Sequence, residues 1–261
     1  MPPVFLPDLR LNATLDGPAN GPALVLLHAL GTRLALWDGV AARLPHHRIL
    51  RLGLRGHGAS DVPAAPYAMG TLIRDAERVI DHFGLTETVV IGVSLGGMIA
   101  QGLAVKRLDL VRGLVLSNTA ARIGTAAQWQ DRIAMVRDHG LQAIADSTMQ
   151  RWLGRDWRDN SAMPALRQDF LATDPQGWMG CAAAIAGTDF YQTTATLRLP
   201  TLAIAGANDG STPPDLVRET ADLVPGARFQ LIQGAGHLPM AETPQAFAQS
   251  LIAFLRDIGH V

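Results

Sequence analysis

The chain has 261 residues, of which 48% are hydrophobic, so it can bury a full core and intrinsic disorder is excluded. Charged residues make up 17% and the net charge is −1, which excludes global electrostatic attraction to nucleic acid or an anionic membrane. A single cysteine, Cys181, excludes an internal disulfide framework and a Cys-rich metal site, and favours a reducing compartment.

Met1 to Leu15 has neither a basic segment nor a continuous apolar run, so no signal peptide is predicted. Apolar runs of strand length then alternate with helix-length segments. Ala23 to His28 reads as a buried strand and Arg48 to Leu54 as the next. Thr71 to Phe83 has helical spacing, with Leu72, Ala76, Val79, Ile80 and Phe83 on one face. Thr88 to Val105 carries no charge and is long enough to span a bilayer. Its Ser94, Gln101 and glycines at 92, 96, 97 and 102 instead predict a strand at Val89 to Val93, a tight turn and a helix to about Val105. Val111 to Leu116 is a further strand.

The rhythm breaks after Ala120. Residues 121–193 hold helical patterns and no strand, and carry Trp129, Trp152, Trp157 and Trp178. Alternation resumes with a strand at Thr201 to Ala205, a helix over Pro213 to Leu223, a strand at Arg228 to Gln233 and a helix over Thr243 to Arg256. Thr243 followed by Pro244 predicts a side-chain cap and an N1 proline. The expected organisation is one mostly parallel α/β domain (1–120 and 194–261) interrupted by a helical insertion (121–193). A cytoplasmic protein without a membrane span is expected.

Gly92-Val93-Ser94-Leu95-Gly96 is a G-x-S-x-G placed where a strand meets a helix. A serine on such a sharp turn is exposed as a nucleophile, and its neighbours must lack bulk. Such a serine needs a base, and the base an orienting acid, in the chain order Ser, acid, His. Of the histidines past the resumed alternation, His260 is next to the terminus and is expected to fray, leaving His237 in the loop Gly234-Ala235-Gly236-His237. Asp209 follows the Thr201 strand, whereas Asp215 and Asp222 fall in the next helix. Ser94, Asp209 and His237 are therefore the candidate triad. The backbone N–H groups of Leu95 and Leu30 are the candidate oxyanion donors.

Other features read as structural. His28 and the Arg55-Gly56-His57-Gly58 turn are expected to shape loops, and Cys181 to pack a helix. No phosphate-binding loop, H-E-x-x-H or strand-linked G-x-G-x-x-G occurs, so neither a cofactor nor a metal is expected.

These residues resemble the α/β-hydrolase fold over nearly the whole chain. Narrower likeness lies in Leu30-Gly31-Thr32 with Trp37-Asp38, in Asn118 to Gly124 with Trp129, Arg132 and Ile133, in Gly180 to Ile185, and in Ile204 to Gly206 through Thr212-Pro213-Pro214. These resemble the 3-oxoadipate enol-lactonases. The sequence departs from that family at His28-Ala29, where Asn-Ser is usual, and at Leu52-Gly53-Leu54, where Tyr-Asp-Thr is usual.

The resemblance implies an eight-stranded type of sheet with helices on both faces and a helical cap. It also implies a small lactone or ester substrate and acyl-enzyme chemistry at Ser94. Another carboxylesterase, a cofactor-free haloperoxidase or perhydrolase, or a C–C hydrolase would use the same triad. A non-catalytic hydrolase-like receptor or scaffold is the alternative from a different class. An enol-lactone carries a free carboxylate, and the insertion offers arginines at 122, 132, 151 and 155 beside Trp129 and Trp152. Arg132, one helical turn after Trp129, is the expected carboxylate partner, with Trp129 and Trp152 as substrate walls and Arg33 as the fallback cation.

Overall fold

The computed structural model describes residues 4–154 and 163–261. Three short strands come first: β1 (Val4–Leu6), β2 (Leu9–Leu11) and β3 (Ala13–Asp16). The buried β4 (Ala23–Leu27) follows, then α1 (Asp38–Ala41), β5 (Arg48–Leu52), α2 (Met69–His82), β6 (Thr88–Val93), α3 (Leu95–Lys106) and β7 (Val111–Ser117). Five helices come next: α4 (Ala126–His139), α5 (Gln142–Trp152), α6 (Met163–Leu171), α7 (Pro175–Ala186) and α8 (Tyr191–Thr194). Among the described residues of that stretch there is no strand. The chain closes with β8 (Thr201–Gly206), α9 (Pro214–Asp222), β9 (Arg228–Ile232), α10 (Pro239–Glu242) and α11 (Pro244–Asp257).

The main sheet has seven strands in the order β3-β5-β4-β6-β7-β8-β9. Its pairings are parallel except for β3, which runs antiparallel to β5. The sheet is thus one strand smaller than the resemblance implies. Ahead of β3 the chain instead folds β1 against β2 as a separate antiparallel ribbon. Central strands β4 and β6 are buried at every residue, as their unbroken apolar runs require when helices cover both faces. Helix α2 buries Leu72, Ile73, Ala76, Val79 and Ile80, whereas α3 is buried on nearly all sides and carries no charge until Lys106. Among the described residues no helix is long and apolar enough to cross a membrane.

Two terminal expectations fail for local reasons. The Thr243 hydroxyl donates to the Pro239 carbonyl (3.2 Å) rather than capping α11, because α10 ends immediately before it. His260 is buried rather than frayed: its Nε2 donates to the Ala23 carbonyl at 3.0 Å, and its N–H donates to the Leu255 carbonyl at 2.8 Å.

Parallel strands all end at the same edge. The turns after β4, β6, β7, β8 and β9 therefore gather there, bringing together Leu30, Ser94, Asn118, Asp209 and His237 from distant parts of the sequence.

Candidate active site

Ser94 occupies the turn between β6 and α3 with φ 55° and ψ −118°, a left-handed conformation that is strained for a residue with a side chain. Neighbouring contacts hold it there. Its N–H donates to the Ser117 carbonyl (3.0 Å), and its carbonyl accepts from Thr119 Oγ1 (2.7 Å). A Cβ on Gly92 would lie 2.2 Å from the Gly96 carbonyl oxygen, and one on Gly96 would lie 2.2 Å from that of Leu27. Strand and helix approach so closely that only glycine fits at both places.

Leu95 is the first residue of α3, so its N–H has no acceptor within the helix. Leu30 lies on the wall of the cavity that Ser94 opens into. Two buried histidines fix its turn. Gly31 N–H donates to His57 Nε2 (2.9 Å) and Leu54 N–H donates to His28 Nε2 (3.0 Å). Each ring then holds its proton on Nδ1, facing the Arg55 and Ala29 carbonyls respectively. Burial pushes His57 down to about 4 and, with the nearby His57 ring, pushes His28 down to about 3. Both rings are neutral struts.

Asp209 and His237 meet across the ends of β8 and β9. His237 Nδ1–H donates to Asp209 Oδ2 at 2.8 Å, an arrangement that in the neutral ring makes Nε2 the proton acceptor. The same oxygen accepts from Asn118 Nδ2 and Thr212 Oγ1, each at 2.8 Å. Oδ1 accepts from the N–H groups of Ser211 (2.7 Å) and Thr212 (3.0 Å). Burial acts to raise the Asp209 pKa, but the His237 charge and these donors outweigh it and hold the carboxyl below its ordinary value.

The end of α5 threads between these two loops. The Arg151 carbonyl accepts from Gly210 N–H (3.0 Å), and the Trp152 carbonyl accepts from His237 N–H (2.5 Å). Gly154 N–H donates to Glu242 Oε2 (2.9 Å), and the buried Glu242 carboxyl also accepts from Gly236 N–H (3.0 Å) and Leu238 N–H (3.1 Å). Burial raises the Glu242 pKa, against the pull of those amides and of His237. In Glu242→Gln the amide NH2 faces N–H groups that had an acceptor, so unfolding free energy should fall by about 1–3 kcal/mol. Urea titration measures this, and a variant as stable as the parent would show that the carboxylate does not hold the His237 loop.

Ser94, His237 and Leu30 share one cavity of about 410 Å3 with Trp129, Arg132, Arg151, Trp152 and Trp178. The Arg132 guanidinium lies 4.6 Å from the Trp129 ring centroid and 5.4 Å from that of Trp178. The Trp152 ring runs nearly parallel to His237, with centroids 6.2 Å apart. Arg33 and Arg122 lie outside this lining: Arg33 pairs with Asp169 (2.6 Å) and Arg122 with Asp189 (3.7 Å). Arg155 and Trp157 fall outside the described residues. Among the described residues no cluster of His, Cys, Asp and Glu could hold a metal ion.

Three residues in this arrangement escape the sequence reading: Asn118, Thr212 and Glu242. The turn at Ser117-Asn118-Thr119 offers no carboxylate, yet Asn118, at φ 45°, donates to both Asp209 and the Gly236 carbonyl. A polar residue directly at a strand's carboxyl end was the available signal.

The chain belongs to the α/β-hydrolase fold family, which matches over residues 22–244. It is 30% identical to 3-oxoadipate enol-lactonase 2 of Acinetobacter baylyi, with 95% of this chain and 94% of that protein covered. The enol-lactonase structure from Burkholderia xenovorans LB400 superposes with a TM-score of 0.94 at 32% identity, covering 98% of this chain and all of that one (100%). A thermophilic esterase from Thermogutta terrifontis, with malate bound, superposes at TM-score 0.91 and 28% identity, covering 97% and 95%.

Proposed function

We propose that this protein is a serine hydrolase that opens 3-oxoadipate enol-lactone to 3-oxoadipate, a step in the breakdown of aromatic acids. The convergence of Ser94, His237 and the Arg132 guanidinium on one cavity carries this reading, alongside the likeness to two enol-lactonases. In it, residues 121–193 form a cap over the carboxyl edge of the sheet.

Ser94 Oγ attacks the lactone carbonyl while His237 Nε2 takes its proton. Asp209 fixes the ring tautomer and stabilises the imidazolium. The Leu30 and Leu95 N–H groups receive the developing oxyanion, each worth roughly 3–4 kcal/mol by comparison with other hydrolases. Ring opening leaves an acyl-enzyme, His237 gives the serine proton to the departing enol oxygen, and the enol becomes a ketone. His237 then deprotonates the water that releases the acid. Trp129 and Trp152 wall the ring, and Arg132 meets the free carboxylate, whose burial would otherwise be costly.

The test is loss of the lactone's ultraviolet absorbance, followed beside an uncharged aryl acetate. Rapid lactone loss is expected, and none would overturn the substrate assignment. Arg132→Ala should lower kcat/KM for the lactone relative to the aryl acetate by at least tenfold, mainly through KM. Equal losses on both substrates would make Arg132 structural. A carboxylesterase is the second reading, favoured by the likeness to the Thermogutta esterase. It predicts aryl ester turnover without lactone turnover.

A further inference from the structure

Arg132 on α4 and Arg151 on α5 both reach the cavity that holds Ser94 and His237. Their guanidinium groups converge on one neutral acceptor. Arg132 Nη2 donates to Thr148 Oγ1 at 3.5 Å and Arg151 Nη2 donates to the same oxygen at 3.4 Å. Among the described residues neither arginine has a carboxylate within ion-pair distance, whereas Arg33, Arg55, Arg107 and Arg167 each have one.

The pair is electrostatically unfavourable as it stands. Burial, and then the charge of Arg151, push Arg132 down to about 10, and burial lowers Arg151 too. The Arg132 side chain and the Arg151 backbone are nonetheless held in place. Arg132 lies over the faces of Trp129 and Trp178, and the Arg151 backbone accepts from Gly210 N–H at 3.0 Å. Two neighbouring cations, each with one long side-chain hydrogen bond among the described residues, leave a site that an anion completes. A carboxylate has two oxygens and about four acceptor positions, enough for both forks.

We propose that Arg132 and Arg151 form a clamp for a single carboxylate, and that the protein hydrolyses half-esters of short dicarboxylic acids, with the free acid end in the clamp and the ester at Ser94. This deepens the Ser94 reading, on which it rests, and adds Arg151 as a residue that sets specificity. Ser94 Oγ bonds to the ester carbonyl carbon and its proton passes to His237. The carbon–oxygen bond to the alcohol breaks, and the alcohol departs with that proton. Water adds to the acyl-enzyme and the bond to Ser94 Oγ breaks. Serine regains its proton, and the products are the alcohol, the dicarboxylate and one proton released to solvent.

The experiment compares kcat/KM for monomethyl glutarate and for methyl pentanoate, an uncharged ester of the same acyl length, in the full chain and in Arg132→Gln, Arg151→Gln and the double variant. The parent should favour the half-ester by at least tenfold. Each single substitution should lower that ratio about tenfold through KM. The double variant should fall by less than the product of the two, because both arginines hold one carboxylate. Arg151→Lys keeps the charge and the stem but not the fork, so its ratio should lie between those of the parent and Arg151→Gln. A parent ratio near one, no turnover of either ester, or a ratio unmoved by both substitutions at Arg151 overturns the clamp. The lactone is assayed in the same preparations: half-ester turnover without lactone turnover upholds the clamp and sinks only the lactone assignment.

Discussion

Ser94→Ala should abolish turnover, by on the order of a millionfold in kcat, while leaving the fold intact. The loss is large because the hydroxyl is the group that bonds to the substrate in the proposed mechanism. Stability should hold because no protein group among the described residues depends on Ser94 Oγ. The contacts that fix the turn run through its backbone, to Ser117 and Thr119. Alanine has the same Cβ as serine, so the φ of 55° is no more strained in the variant than in the parent. Activity measured on protein with an unchanged urea midpoint checks this. A folded variant keeping more than a small fraction of parent activity would remove Ser94 from the chemistry.

Asp209→Asn should cost about four orders of magnitude in kcat, whereas Asp215→Asn should cost almost nothing. Asparagine still offers one oxygen to the Ser211 and Thr212 amides, so the loop survives. Its NH2 turned toward His237 would meet the Nδ1–H that Asp209 Oδ2 accepts at 2.8 Å, forcing the proton onto Nε2 and blocking the base. An amide also cannot stabilise the imidazolium. Asp215 lies in the first turn of α9, outside the cavity lining. Equal losses in the two variants would reassign the acid.

The central strands were legible because burial on both faces demands unbroken apolar runs. β4 and β6 to β8 lie within a residue of their predicted ends, and α2 shows the expected apolar face. β1, β2 and β3 were not legible. They are three or four residues long, with exposed Phe5, Arg10 and Asp16 beside buried positions, and such short alternation does not stand out from a loop.

A similar line divides the site. The turn that carries Ser94 announces itself because glycines at 92 and 96 are needed locally. Asp209 and His237 were singled out by their place after strands, and the structure brings them within 2.8 Å of each other. The supporting partners Asn118, Thr212 and Glu242 act across contacts that sequence spacing does not encode, such as the 88 residues between Gly154 and Glu242. Arg132 was legible from its turn-apart spacing with Trp129. Its convergence with Arg151 was not, because that depends on how α4 packs beside α5.

In the proposed mechanism Ser94 is an activated nucleophile served by His237. A fluorophosphonate that modifies only activated serines tests it directly, read by intact mass and then by peptide mapping. One adduct per chain is expected, on the peptide containing Ser94, with its rate falling as steeply in Asp209→Asn as turnover does. No adduct, or an adduct elsewhere while Ser94 stays free, would contradict it.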